Sequence, residues 1–131
     1  MPLSAEDQLA IAKLLADYNH AIDHGDAEAW ADTFTDDAVF NSGFEEITGR
    51  EDLVAFAAAT HEMLPGGRHQ LNNVSIDGDD DTATVRCYLQ MWNTQGGASS
   101  TRLVISGLYD DALRKEGGRW RFSRRTMTPD T

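Results

Sequence analysis

The sequence predicts an α+β domain in which a cone-shaped, curved antiparallel sheet wraps three helices from the N-terminal half and encloses a pocket. Three observations carry this expectation. Apolar residues follow helical spacing in the first half of the chain. Everything after Gly67 falls into long runs with strand character, the second of them a clear two-residue alternation. Clusters of Gly, Pro and Asp mark the changes between elements. A chain of 131 residues with 40% hydrophobic content suits one domain, residues 1–131, built round one core.

The first helix begins after Ser4, an N-cap residue followed by the acidic pair Glu6 and Asp7. Asp7 stands where a capping box would need glutamate or glutamine, so the start signal is the cap plus a negatively charged first turn. From Leu9 onward, Ile11, Leu14, Leu15, Tyr18 and Ile22 recur on one face, and Gly25 supplies the left-handed stop. Asp26 caps a second helix, predicted from Ala27 to about Phe34, with Trp30 and Phe34 one turn apart as its inward face and Asp36-Asp37 as its end. Ala38 to Asn41 reads as a short strand, and Glu45 to Thr48 as a returning edge. A third, alanine-rich helix runs from Glu51 to Met63 with Leu53, Val54, Phe56 and Ala57 as its buried stripe, and Pro65-Gly66-Gly67 ends it.

Four strands follow, over 68–77, 82–93, 101–114 and 119–128, separated by turn-rich segments that predict antiparallel pairing in sequence order. The run 82–93 alternates most clearly. Ala83, Val85, Cys87, Leu89 and Met91 share one face, and Thr84, Arg86, Tyr88, Gln90 and Trp92 share the other. The apolar face is expected to pack on the helices. The mixed face, with Tyr88 and Trp92, suits either a homodimer contact or a solvated surface.

Composition narrows the function classes. A net charge of −11 disfavours nucleic acid and anionic membranes as partners, since both require basic clusters. The acidic run Asp77-Gly78-Asp79-Asp80-Asp81 lacks the glutamate and spacing of a calcium loop, no histidine or carboxylate pair has zinc-site spacing, and no metal is expected. His20, His24 and His61 carry no ligand role. A single cysteine, Cys87, excludes an intrachain disulfide and reads as a small core residue. The N-terminal residues lack the basic start and apolar run of a secretion signal, and the expected location is cytoplasmic.

The residues with chemistry to offer are Tyr18 and Asp23, near the end of the first helix, and His69, at the head of a later strand. A phenol, a carboxylate and an imidazole converging in an apolar cavity can move a proton without a cofactor, and none is expected. Asp23 sits at the negative end of its helix, where a carboxylate is a poor choice for stability alone. Tyr18 lies on the apolar stripe and serves core packing equally well. Arg124 shares the parity of Trp120 and Phe122 and is expected to point inward, whereas Arg119, Arg121 and Arg125 have the opposite parity.

Several segments together carry a resemblance: Leu15-Ala16-Asp17-Tyr18, Asp23-His24-Gly25-Asp26, Phe34 through Phe40, Thr48-Gly49-Arg50-Glu51 and Gly118-Arg119-Trp120-Arg121-Phe122. In these the chain resembles the SnoaL-like branch of the nuclear transport factor 2 superfamily over nearly its whole length. The resemblance implies the cone and its cavity. It does not imply one reaction, because the fold hosts dehydratases, isomerases, cyclases and non-enzymatic modules. In the family's scytalone dehydratase, bile-acid dehydratase and dehydrochlorinase members, an aspartate late in the first helix and a histidine after the third helix form a dyad, and Asp23 and His69 match those positions. Tyr18 matches a tyrosine of the bile-acid dehydratase type. Two departures are informative. The ketosteroid isomerase base would fall near Ser42, and the second histidine of scytalone dehydratase at Leu89, so neither of those mechanisms transfers whole.

The resemblance therefore implies a lyase or isomerase acting on a small hydrophobic carbonyl compound such as a polyketide, terpenoid or steroid. Asp23 orients, His69 moves the proton and Tyr18 polarises, while Arg124, Phe40, Ser42, Phe56 and Leu89 are expected to contact the substrate. The alternatives are a non-catalytic module that binds a hydrophobic ligand or a protein, and a polyketide-type cyclase.

Overall fold

A computed structural model describes all 131 residues. The chain forms α1 (Ala5–Asp23), α2 (Ala27–Ala31), β1 (Phe34–Asn41), β2 (Glu46–Thr48), α3 (Arg50–Met63), β3 (Gly67–Asp79), β4 (Thr82–Asn93), β5 (Arg102–Glu116) and β6 (Arg119–Pro129). All six strands belong to one sheet in the order β2-β1-β6-β5-β4-β3. The predicted architecture of three helices against a curved, mostly antiparallel sheet is therefore the observed one, and β3 to β6 pair antiparallel in sequence order. The strand β1 departs from that order: it lies parallel to β6.

The helix signals act as physical caps. The Asp7 N–H donates to Ser4 Oγ at 3.0 Å, and the Ala29 N–H donates to Asp26 Oδ1 at 3.1 Å, each satisfying a donor that the first turn leaves free. Gly25 adopts φ +81°, and a Cβ there would meet the His61 ring at 2.9 Å, so the α1–α2 turn both needs left-handed backbone and packs directly on α3. Leu9, the expected start of the α1 stripe, is exposed; the buried stripe runs through Ile11, Leu15, Tyr18, Ala21 and Ile22.

Asp7 has a second role. Its Oδ1 accepts from Trp120 Nε1 at 3.1 Å and from Lys115 Nζ at 3.0 Å, which ties the start of α1 to the β5–β6 hairpin. These bonds to Trp120 and Lys115 hold the Asp7 carboxyl below its ordinary value, because they favour the ionised form.

The second helix stops at Ala31, short of the predicted Phe34. Thr33 explains the difference. Its hydroxyl donates to the Trp30 carbonyl at 2.7 Å, and its own carbonyl accepts from the Phe122 N–H at 2.8 Å. A side-chain bond to the preceding turn and a sheet bond to β6 thus replace the next helical turns, and Phe34 begins β1. Trp30 and Phe34 still meet edge to face, with centroids 4.9 Å apart.

That pair belongs to a run of aromatic contacts. Tyr18 touches Trp30, Phe34 and Phe122 at centroid separations of 5.3, 6.0 and 5.5 Å, and Trp30 and Phe40 both touch Phe56, at 5.7 and 5.3 Å. Such pairs contribute about 0.5–1.5 kcal/mol each beyond their burial. They join α1, α2, α3, β1 and β6 into one core. On β4 the predicted face of Ala83, Val85, Cys87, Leu89 and Met91 is buried, and Thr84, Arg86 and Tyr88 are exposed.

The parity expectation for β6 fails at one point, and the cause is local. Against β5, Ala112 pairs with Arg124 but Leu113 pairs with Phe122, so Ser123 is an extra residue in β6. Its hydroxyl donates to the Ala112 carbonyl at 3.1 Å. A bulge of this kind inverts the facing of every residue beyond it. Trp120 and Phe122 point inward as predicted, but beyond Ser123 the inward residues are Arg125 and Met127. Arg124, expected in the interior, is exposed.

Arg125 is 0% exposed and lies beside the equally buried Asp111, with Nε 3.1 Å from Oδ1. Its guanidinium carbon sits 3.5, 4.4 and 4.6 Å from the ring centroids of Tyr109, Tyr18 and Phe122. Burial pushes the Asp111 carboxyl up to about 6, against the opposing pull of Arg125. Removing one member of a buried pair strands the other's charge, at about 3–5 kcal/mol. Arg125→Met is therefore expected to lower unfolding free energy by about that amount in urea titrations, the double change Arg125→Met with Asp111→Leu to recover much of it, and Arg124→Ala to leave the midpoint unmoved. Equal midpoints for Arg124→Ala and Arg125→Met would contradict the bulge.

Candidate functional site

Asp23 closes α1 and His69 opens the exposed-to-buried alternation of β3, 46 residues later, yet the two side chains meet. His69 Nδ1 lies 2.6 Å from Asp23 Oδ1. The His69 backbone N–H also donates to the carboxylate, at 3.0 Å to Oδ2 and 3.2 Å to Oδ1. One carboxylate therefore grips both the main chain and the ring of the same residue. These bonds compensate a negative charge at a helix C-terminus. The side chains are 9% and 8% exposed, so water competes little for the contact.

The protonation pattern follows from bonding capacity. An ionised carboxylate only accepts, so Nδ1 carries a proton, and in the neutral ring Nε2 holds the lone pair. No protein group bonds Nε2. Because His69 lines the cavity, that lone pair is the one basic nitrogen on its wall.

The cavity has a volume of about 300 Å³ and an almost wholly apolar wall, at the lower end of the range for small-molecule sites. Tyr18 and Ile22 come from α1, Phe40 and Ser42 from β1 and the loop after it, Phe56 and Thr60 from α3, Leu89 and Met91 from β4, and Tyr109 and Met127 from β5 and β6. Every layer of the fold contributes. Phe44 and Met63 also line it although they are 78% and 84% exposed, which marks the loop after β1 and the end of α3 as its mouth. Gly107 admits the curvature behind it: a Cβ there would meet the Thr128 carbonyl oxygen at 2.7 Å and Met127 Sδ at 2.9 Å.

Of the residues singled out from sequence, Tyr18, His69, Phe40, Ser42, Phe56 and Leu89 line this cavity, and Asp23 stands directly behind His69. Ser42 is spent on its own loop, where its hydroxyl accepts from the N–H groups of Phe44 and Glu45. Arg124 is absent from the site because the bulge turns it outward. Two residues escaped sequence reasoning. Tyr109 lines the cavity, and Arg125 packs beneath it. Tyr109 shares the inward parity of Leu113 on β5 and was available to a parity argument; Arg125 was not. No group of three or more His, Cys, Asp or Glu side chains is arranged to hold a metal, and no helix is long and apolar enough to cross a membrane.

Comparison with known proteins places these features in a family. Residues 3–126 match the SnoaL-like domain. Among solved structures, a protein of unknown function with a cystatin-like fold from Nostoc punctiforme superposes with a TM-score of 0.89 at 29% identity, over 99% of this chain and 96% of that one. A protein from Novosphingobium aromaticivorans described as a candidate aromatic ring hydroxylase has a TM-score of 0.83 at 30% identity, over 98% and 92% of the two chains. Another from the same organism, described as a candidate scytalone dehydratase, has a TM-score of 0.83 over 96% and 85%; at 23% identity it shares the fold. A search of curated proteins finds no match.

The wall makes a direct prediction. Leu89 is buried among the lining residues, and Leu89→Trp would fill the cavity from the sheet side. Binding of a neutral solvatochromic dye, followed by fluorescence, is expected to weaken at least tenfold in this variant while the circular dichroism spectrum stays native. Unchanged dye affinity would mean that the cavity is not the binding site.

Proposed function

The chain belongs to the SnoaL-like domain family, and from that premise we propose that it is a cofactor-independent lyase or isomerase acting on a small, uncharged, largely apolar carbonyl compound of the polyketide, terpenoid or steroid kind. The observation that carries the reading is the 2.6 Å contact between Asp23 and His69 at the wall of an apolar cavity. A histidine that only packs has no need of a buried carboxylate bonded to both its ring and its backbone.

The lining contains no lysine or arginine. A carboxylate or phosphate on the ligand would lack a counter-charge there, and Glu45 among the lining residues would repel it, so a neutral molecule fits better. About 300 Å³ favours a compact ligand, or one whose end protrudes between Phe44 and Met63.

In the proposed step, His69 Nε2 removes a proton from the carbon next to the carbonyl, and the electrons of that C–H bond pass into an enolate. Asp23 stabilises the imidazolium that forms. Tyr18, whose phenol is raised above its ordinary value by burial, stays protonated and donates to the enolate oxygen. In an elimination, the enolate expels a leaving group from the adjacent carbon with its bonding pair, and the proton on His69 accompanies a departing hydroxide. In an isomerisation the same proton returns to a different carbon.

A homodimer through the outer sheet face is part of this reading, because Tyr88, at 49% exposure, and Leu103 and Val104 leave apolar surface there. Tyr88→Glu is expected to shift the sedimenting species from dimer to monomer; a wild-type monomer at micromolar concentration would remove the dimer.

Turnover is tested with a panel of β-hydroxy ketones and β,γ-unsaturated ketones. His69→Ala is expected to lower kcat about 10²–10⁴-fold, and Asp23→Asn to lower it by a smaller factor, with dye binding retained in both. Substrates converted equally well by His69→Ala would refute the dyad. A cavity that binds such ketones tightly and converts none of them would favour the non-catalytic ligand-binding module.

A further inference from the structure

The cavity wall holds a second phenol that the proton-transfer scheme leaves idle. Tyr109, from β5, and Tyr18, from α1, both line the cavity, and both rings rest on one guanidinium. The Arg125 carbon is 3.5 Å from the Tyr109 centroid and 4.4 Å from that of Tyr18. The one guanidinium therefore faces both rings. Both phenols line the one cavity, and each alters the acidity of the other. Arg125 is itself fixed by Asp111 and by the ring of Phe122, so neither tyrosine is free to swing away.

We propose that Tyr109 is a second oxygen-binding residue of the site, and that its hydroxyl and that of Tyr18 act as one two-phenol unit that receives the carbonyl or enolate oxygen of the ligand. The inference rests on the carbonyl-compound reading above and adds to it the group that determines where the oxygen lies. Two phenols have two protons. With both free, both protons are offered to the ligand; where one hydroxyl donates to the other, one proton remains for the ligand and is polarised by its neighbour. An oxygen that gains negative charge is best met by more than one fixed donor in a site closed to water.

The electrostatics agree with donation rather than base catalysis. Burial raises both phenols above their ordinary value, Tyr109 strongly, so both stay protonated while His69 takes the proton. Arg125 beneath the rings opposes that rise. With Asp111 beside it, the cation brings little net charge into the core.

The chemical class that fits is a flat, neutral molecule with one oxygen at one end and hydrocarbon elsewhere. The aromatic alcohol 2-naphthol has that form and copies the shape and charge distribution of an enol, while naphthalene lacks only the oxygen. In fluorescence titrations the wild-type protein is expected to bind 2-naphthol more tightly than naphthalene. Tyr109→Phe is expected to weaken 2-naphthol binding roughly tenfold, the usual worth of one well-aligned donor, and to leave naphthalene binding unchanged, which also shows that the variant is folded. Equal affinity of Tyr109→Phe and wild type for 2-naphthol, or no preference of the wild type for 2-naphthol over naphthalene, would overturn the proposal.

A measurement on the unmutated sequence guards against a variant that does not fold. The chain has three tyrosines, so 3-fluorotyrosine labelling gives three fluorine resonances. Those of Tyr18 and Tyr109 are expected to move on adding 2-naphthol, with Tyr88 on the outer face as a fixed reference; an unmoved Tyr109 signal would overturn the assignment. Because these readouts need no turnover, they separate the two claims. A protein that converts no ketone yet loses 2-naphthol affinity in Tyr109→Phe keeps the oxygen site and loses the lyase. His69-dependent turnover with unaltered binding in Tyr109→Phe does the reverse.

Discussion

A carboxylate at each end of α1 finds its partners in the sheet, and this pair of attachments governs the rest of the molecule. Asp7 in the first turn accepts from Trp120 and Lys115 on the β5–β6 hairpin, and Asp23 in the last accepts from the main chain and ring of His69 on β3. The helix runs from the β5–β6 hairpin in the middle of the sheet to the edge strand β3 like a bar fixed at both ends. Its buried face, including Tyr18 and Ile22, is thereby held at a constant height above β4 and β5, and the gap left between them is the cavity. Hydrophobic burial alone would bring α1 onto the sheet without choosing its direction, because the effect is non-directional. The two charged attachments choose it.

The same arrangement explains why a carboxylate occurs where the helix dipole disfavours one. At Asp23 the cost of charge near the end of α1 is offset by donors that the helix does not own, and the result is a histidine with one nitrogen engaged and the other facing an apolar wall. At Asp7, by contrast, the dipole and the partners act together, which is consistent with its lowered pKa. Structure and chemistry are not separable at His69, since the bonds that join α1 to β3 are the bonds that set the ring.

The parts of this design that were legible in the sequence are those governed by local rules. Ser4, Gly25 and Asp26 mark helix ends by satisfying or terminating backbone bonds within a few residues, and the faces of β4 follow from a period of two over twelve residues. Three features were not legible. The parallel pairing of β1 with β6 joins segments some 85 residues apart without any repeat or spacing that would announce it. The early end of α2 depends on Thr33, whose hydroxyl bonds the Trp30 carbonyl while its own carbonyl accepts from the distant Phe122 N–H. The inward arginine depends on Ser123, and a bulge of this kind carries no residue signature; parity counted from Trp120 therefore fails at the residue after it. The dyad positions came from a family resemblance and not from spacing, whereas Tyr109 was accessible from the inward parity of β5.

The bulge at Ser123 also has a bearing on how this sequence tolerates change. Two arginines stand in tandem after it, and a slip of β6 by a single rung would exchange their positions. Asp111 would still face a guanidinium, and a misregistered strand would not be punished by an orphaned anion. Discrimination between the two alignments therefore falls to the neighbours: with Arg124 in the place of Arg125, Thr126 would stand in the place of Met127 and Arg121 in the place of Phe122. A one-residue slip in this strand is therefore penalised in the aromatic core, where further arginines would take the places of Trp120 and Phe122, and not at the carboxylate.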